Sequence, residues 1–466
     1  MKSFVASIAA ALCLFLALPA HADVLIDNVA GLTADEEGRI TTFHAILIGD
    51  DGRIEQVFAK RDKKPGKVDY RLDGKGRVMI PGLIDSHVHV MELGFALLKA
   101  EAGFKGSPMG EPRAEDRDLA FSKAQDLLLS AGVTTVADMG MTIEDWQTYR
   151  RAGDLGSLRL RIVTYAQSVG DMALISGPRP TPWLYDDRLK HNGLALVLDG
   201  LLETRGAWLK APYGQGSHGQ NSDSSAGNRQ KPAVEAGARM TTIQLRNLMS
   251  RGAIDNFQVA VTAHGDAATS ATLDAIEELA QTYDGDRRWR LEALTLLDSA
   301  DLARMVELNI IASVQPQRLD LHRPMADTLL GTQRAHRLHR WRPLADKGVT
   351  LAFGSGANAK RPKPFAAMAT AISRQSGNDL SFGSPQTQEH LTRQQALAAF
   401  TNGAAHALFG DGRLGRLAKG HRADFLLIDR DPLLASPADL RETGVLQSWI
   451  NGVLVYEAPG SPFSER

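Results

Sequence analysis

The chain predicts an α/β protein, a (β/α)₈ TIM-like barrel with a small β-sandwich domain formed by the two chain ends. Three observations lead there. Eight apolar, strand-like runs recur through the central part of the sequence. Helix-period stretches separate several of them, and eight such alternations in about 330 residues suit a closed ring of βα units. Short strands with turn residues crowd both ends of the chain. The expected order is a signal peptide at 1–22, the first part of the sandwich at 23–80, the barrel at 81–411 and the second part of the sandwich at 412–466.

Taken in order, residues 1–22 read as a secretory signal. Lys2 supplies the positive start, residues 4–18 the apolar run, and Ala20-His21-Ala22 the small-x-small cleavage pattern. The run is short for a bilayer span, which favours cleavage over anchoring. The single cysteine, Cys13, lies inside this segment, behind Ala10-Ala11-Leu12, a poor lipoprotein signal. Cleavage after Ala22 leaves no thiol for a disulfide, a metal or a nucleophile. The expectation is a protein secreted across the inner membrane into a bacterial periplasm.

Residues 24–26, 44–48 and 54–57 are strand-like, with the turn Gly49-Asp50-Asp51-Gly52 between the last two. Expected barrel strands are 78–85, 133–138, 158–165, 194–199, 257–263, 288–294, 310–315 and 349–354, with helices at 114–131, 242–251, 268–282 and 298–308. Residues 103–112 form a Gly/Pro-rich connector. Residues 214–231, rich in Gly, Ser, Asn and Gln, follow the fourth strand and read either as a lid or as a surface loop. Residues 423–428 form a strand, and Asn451-Gly452 between 449–450 and 453–456 signals a hairpin.

The formal net charge is −1. No basic stripe points to nucleic acid, and no second apolar stretch points to a membrane after signal cleavage. The locally basic set His322, Arg323, Arg334, His336, Arg337, His339, Arg340 and Arg342 reads as a solvated helix face.

Chemistry enters at residues 81–89, Pro-Gly-Leu-Ile-Asp-Ser-His-Val-His. Side chains alternate along a strand, so His87 and His89 share a face, about 7 Å apart, and can grip one divalent ion. They fall at the carboxyl end of the first barrel strand, where this fold carries its catalytic groups.

That strand resembles the metal-binding strand of the amidohydrolase superfamily. Residues 415–425, Gly-Arg-Leu-Ala-Lys-Gly-His-Arg-Ala-Asp-Phe, look like its carboxyl-terminal β-domain signature. Leu198-Asp199-Gly200, Arg205-Gly206-Ala207 and Gly265-Asp266-Ala267-Ala268 resemble the amidohydrolase family 3 branch, the group similar to N-substituted formamide deformylases. The resemblance implies one or two divalent metals, usually zinc, and a metal-bound water that attacks an amide-like carbon. It implies ligands from the His-x-His pair, a carboxylated lysine on strand four, a histidine each on strands five and six, and an aspartate on strand eight that accepts the proton. Here the pair is present, but the lysine position is Ala195. The strand-five position is Thr262, the strand-six position in Arg290-Leu291-Glu292-Ala293 is Ala293, and the strand-eight position in Phe353-Gly354-Ser355-Gly356 is Gly356. The insertion that the branch carries between strands one and two is also short.

A catalytic zinc needs about three protein ligands and a water. Alanine and glycine offer no donor, and a threonine hydroxyl is a poor one. The expected function is therefore that of an exported relative of hydrolases of non-peptide C–N bonds, impaired in catalysis, with a small amide-like ligand as its partner. No cofactor is expected, zinc being the candidate if one is held. The alternative is an active mononuclear enzyme using His87, His89 and a substitute ligand, for which His264 is the candidate. Asp266 is expected to cap the following helix, Glu292 to face the helix layer opposite residue 293, and His336 and His339 to share a helix face.

Overall fold

The computed structural model describes residues 23–101, 112–214, 237–358, 361–375 and 387–464. The signal segment, most of the connector and nearly all of the Gly/Ser-rich stretch lie outside the described residues.

Eight parallel strands form the barrel: β1 Leu83–Val88, β2 Val133–Met141, β3 Arg161–Ala166, β4 Leu189–Val197, β5 Gln258–Thr262, β6 Arg290–Glu292, β7 Ile311–Val314 and β8 Leu351–Phe353. Each pairs with the next in sequence. The segment after β8 completes the ring. Gly356 N donates to His87 O at 2.8 Å and His89 N to Ala357 O at 3.0 Å. β1 and β3 are buried along their whole length, as expected of strands with helices outside and packed side chains within. Two of the outer helices start on side-chain caps. The Thr241 hydroxyl accepts from Gln244 N ahead of Thr242–Ile254, and Asp298 accepts from Asp301 N ahead of Ser299–Glu307.

The expected strand 78–85 is two strands. Val78–Pro81 runs antiparallel to Phe425–Ile428 and parallel to Ala30–Ala34, in a sheet outside the barrel. The chain then crosses into β1 at Gly82, where a Cβ would overlap the Thr134 side chain. A continuous apolar run concealed this change of sheet, because burial on both sides of the crossing looks the same in sequence.

The chain ends build two further sheets. One has four strands, in the order Ile54–Phe58, Ala45–Ile48, Val24–Asp27 and Tyr70–Asp73. The other has six, in the order Val453–Glu457, Val445–Ile450, Phe425–Ile428, Val78–Pro81, Ala30–Ala34 and Ile40–Phe43, and so mixes both ends. Ile26, Ile46 and Ile54 from the first pack with Phe425, Leu427 and Trp449 from the second in one apolar cluster. Asn451 (φ 53°) and Gly452 (φ 71°) turn the last hairpin, both in the left-handed region that such a turn requires.

The basic set is not one solvated helix face. Residues 318–346 run through short helices that include Arg318–His322, Thr332–Ala335 and Trp341–Asp346. His322 and His339 are buried. His336 ends its helix and His339 has φ 55°, so the two do not share a helical face.

Candidate functional site at the carboxyl ends of the barrel strands

A cavity of about 710 Å³ opens at the carboxyl ends of the strands. His87 and His89 line it, and so do Ala195, Thr262, His264, Ala293 and Gly356. One cavity thus gathers every candidate residue that the sequence singled out around the His-x-His pair. The two imidazoles stand edge to face, with centroids 5.4 Å apart. Burial, followed by the neighbouring His87, pushes His89 down to about 4.

Glu292 does not face the helix layer. Its Oε2 lies 2.7 Å from His87 Nδ1, and it lines the cavity together with Ala293. The expectation assumed an extended chain through both residues. Ala293 instead adopts φ 54°, which breaks the alternation at the end of β6. Against a carboxylate, Nδ1 carries a proton and donates it to Glu292. Glu292 is itself held by Arg290, whose Nη2 lies 2.7 Å from Oε1. Burial pushes the Glu292 carboxyl up, but Arg290 and His87 outweigh it and hold the group below its usual range. Arg290 also donates to Tyr165 Oη at 2.9 Å and to Ser86 O at 2.8 Å.

Beneath the pair, Asp85 Oδ1 accepts from His87 N at 3.1 Å and from Ser355 N at 2.9 Å, tying β1 to the segment after β8. Burial raises its carboxyl above the usual range. Asp199 does the same work across β4 and β5. It accepts from Trp208 N, His264 N and Gly265 N at 2.8–3.0 Å, while burial pushes it up to about 6. Asp199-Gly200 is therefore a loop clamp. Asp266 is the first residue of its helix rather than the cap, which is Gly265, and its Oδ1 accepts from Lys210 N at 2.9 Å.

His264 sits at the carboxyl end of β5 and is 4% exposed. Its Nδ1 lies 3.2 Å from Thr295 Oγ1, and that hydroxyl donates to Ala293 O. The hydroxyl therefore accepts from Nδ1–H. Burial, then the charge of Arg318, pushes His264 down to about 3. Among the described residues no group of three or more His, Cys, Asp or Glu side chains is placed to hold a metal ion. Three imidazoles, those of His87, His89 and His264, line the cavity, and Ala195, Thr262, Ala293 and Gly356 add no strong metal donor to it.

Sequence reasoning missed a polar chain behind this wall. Arg318 Nη1 donates to Glu203 Oε1 at 3.1 Å, Glu203 Oε2 meets His322 Nε2 at 3.1 Å, and His322 Nδ1 meets His339 Nε2 at 3.0 Å. The His322 hydrogen bond, against a smaller upward push from burial, brings Glu203 down to about 2. Its members come from segments more than 100 residues apart, and no spacing in the sequence joins them.

Comparison with known proteins agrees with this architecture. A model described as "Amidohydrolase family" matches residues 96–456. The chain is 25% identical over 409 residues to YtcJ of Bacillus subtilis, covering 79% of this chain and 72% of that protein. It is 27% identical over 377 residues to the N-substituted formamide deformylase of Arthrobacter pascens, covering 78% of this chain and 66% of that one, just short of two thirds of its length. Among solved structures, an uncharacterized metal-dependent hydrolase from Pyrococcus horikoshii superposes with TM-score 0.73 at 19% identity, over 89% of this chain and 99% of that one.

Proposed function

The chain belongs to the amidohydrolase family, and from that premise we propose that it is an exported member whose cavity binds a small amide-like molecule without the metal-assisted hydrolysis of C–N bonds. One observation carries the reading. Ala195, Thr262, Ala293 and Gly356 line the same cavity as His87 and His89. Two imidazoles leave a divalent ion short of the three protein ligands that a catalytic zinc needs. None of the four other positions supplies a strong donor or a base to take a proton from a bound water. The amino-terminal pattern around Lys2 and Ala20-His21-Ala22 supports export.

A specific observation favours one rival. His264 lines the cavity too, and its Nδ1 is engaged, which leaves Nε2 as a lone-pair nitrogen. A mononuclear enzyme would use these imidazoles. The test is the zinc content of the mature protein, recovered from the periplasm of an expressing bacterium with Asp23 as its first residue, after zinc incubation and dialysis. Our reading expects well under one zinc per chain and no hydrolysis of simple formamides. Near-stoichiometric zinc that His87→Ala abolishes, with amide hydrolysis lost in the same variant, would overturn it.

A further inference from the structure

The cavity presents hydrogen-bond donors that no acceptor among the described residues receives. Gln315, just past β7, is 3% exposed and lines the cavity, and its Nε2 is buried without a hydrogen-bond partner among the described residues. A buried donor left without a partner is uncommon in a folded protein and calls for a ligand to receive it. Beside it is empty space. A Cβ added to Gly356 would meet only the Gln315 side chain, at 3.5 Å. Three residues on, Arg318 also lines the cavity. It spends Nη1 on Glu203, and its other guanidinium nitrogens have no hydrogen bond within the described residues. Glu203 is fixed from behind by His322, so the carboxylate orients Arg318 rather than drawing it away. Arg239, exposed at the mouth, has no side-chain hydrogen bond or ion pair among the described residues.

The acidic side chains of the cavity are engaged elsewhere, with Asp199 alone in electrostatic reach of Arg239. Asp199 is used by three backbone N–H groups, Glu292 by Arg290 and His87, and Glu92 by Asn358. A planar anion with two acceptor oxygens satisfies this arrangement. A neutral amide offers one oxygen and brings donors of its own.

We propose that Gln315 and Arg318, with Arg239 at the mouth, form a carboxylate-recognising subsite, and that the ligand is a small amide-bearing carboxylate of the N-acyl amino acid class. The proposal rests on the preceding reading only in taking this cavity as the ligand site, and it is indifferent to whether zinc binds. The carboxylate lies against Gln315 in the space that Gly356 leaves open, and the acyl amide extends toward His87 and His89. Nothing in the subsite reacts; it selects and orients.

The test is calorimetric titration of the mature protein, dialysed against a chelator, with racemic N-acetylphenylalanine and with its carboxamide. The carboxylate is expected to bind at least about tenfold more tightly than the carboxamide. Arg318→Gln and Gln315→Glu should erase the preference. Arg318→Gln also frees Glu203 and could weaken the fold, so the exposed Arg239→Gln serves as a second variant, expected to reduce the preference with an unchanged melting temperature. Equal binding of the two probes, or no binding of the carboxylate at millimolar concentration, overturns the proposal and leaves the zinc result standing. Stoichiometric zinc with the preference intact overturns the preceding reading and supports this one.

Discussion

Glu292 shows how one side chain can serve fold and site together. It lies between a buried cation and an imidazole, 2.7 Å from each, and is 1% exposed. Arg290 is equally buried, and its remaining contacts, Tyr165 and the Ser86 carbonyl, carry no full charge. Removing one partner of such a pair leaves the other uncompensated, which costs about 3–5 kcal/mol. Glu292→Ala is therefore expected to lower the unfolding free energy by that amount in denaturant titration. Glu292→Gln, which can still bond His87, should cost less. Equal stability of Glu292→Ala and the parent would show that Arg290 finds other compensation. The residue next to it explains why this role was hidden. Alternation counted back from an inward residue 293 put Glu292 outside the barrel; Glu292 instead shares the face of Arg290 along β6, and the left-handed turn at Ala293 breaks the alternation after it.

At the scale of elements, β1 is set by what presses on it. Gly354, after β8, approaches so closely that a Cβ there would lie 2.6 Å from His87 Cβ and 2.7 Å from His87 N. Both neighbours are held, His87 N by Asp85 and the next amide after Gly354, that of Ser355, by the same carboxylate. The clash cannot relax by a side-chain turn. Gly354→Ala is expected to cost about 1–3 kcal/mol, as overpacking does, read as a lower denaturation midpoint together with altered NMR signals of the His87 ring. A midpoint equal to that of the parent would mean that β1 shifts freely. The sequence announced β1 by its apolar run and its His-x-His ending, and the last hairpin by Asn451-Gly452. It hid the start of β4, expected only from residue 194, whereas the strand begins at Leu189 and takes in Lys190, His191 and Asn192. His191 in fact packs near Trp146 and Phe257, and Asn192 donates to Gln258 Oε1 at 3.0 Å. Polar residues buried inside a barrel look like surface in a sequence. The cavity was legible where one strand carries it, at His87 and His89, and illegible where distant loops meet, at Glu203, Gln315 and Arg318.

Across the whole molecule, barrel and sandwich are joined by charge as well as by apolar packing. Fully buried Arg161 at the start of β3 holds Asp424 at 2.8 Å and Asn451 Oδ1 at 2.8 Å, reaching from the barrel into the six-stranded sheet. A barrel that buries so many polar groups has a characteristic response to acid. Burial holds His191 and His89 near 4 and His264 near 3, well below the value of about 6.5 expected for an unfolded chain. Between those limits the unfolded chain binds more protons, so their contribution to stability is complete above about pH 6.5 and is lost as pH falls toward 4. Burial acts oppositely on Asp138, pushed up to about 7, and on Asp199, up to about 6. There the native state holds the extra protons, and these carboxyls favour folding as pH falls through the same window. The two sets partly cancel, so variants are needed to separate them. His191 is the case to test: its ring lies beside Trp146 and Phe257, and the hydrogen bond of its Nδ1 with Thr164 Oγ1 at 3.0 Å, which a phenylalanine loses, lowers stability without adding a proton-linked slope. His191→Phe is expected to remove about 3 kcal/mol of the stability lost between pH 6.5 and 4, measured as urea midpoints at half-unit intervals. Asp199→Asn should steepen the loss instead. If His191→Phe left the slope unchanged, the imidazole would be charged inside the barrel, and burial could not be what sets the acid limit of this fold.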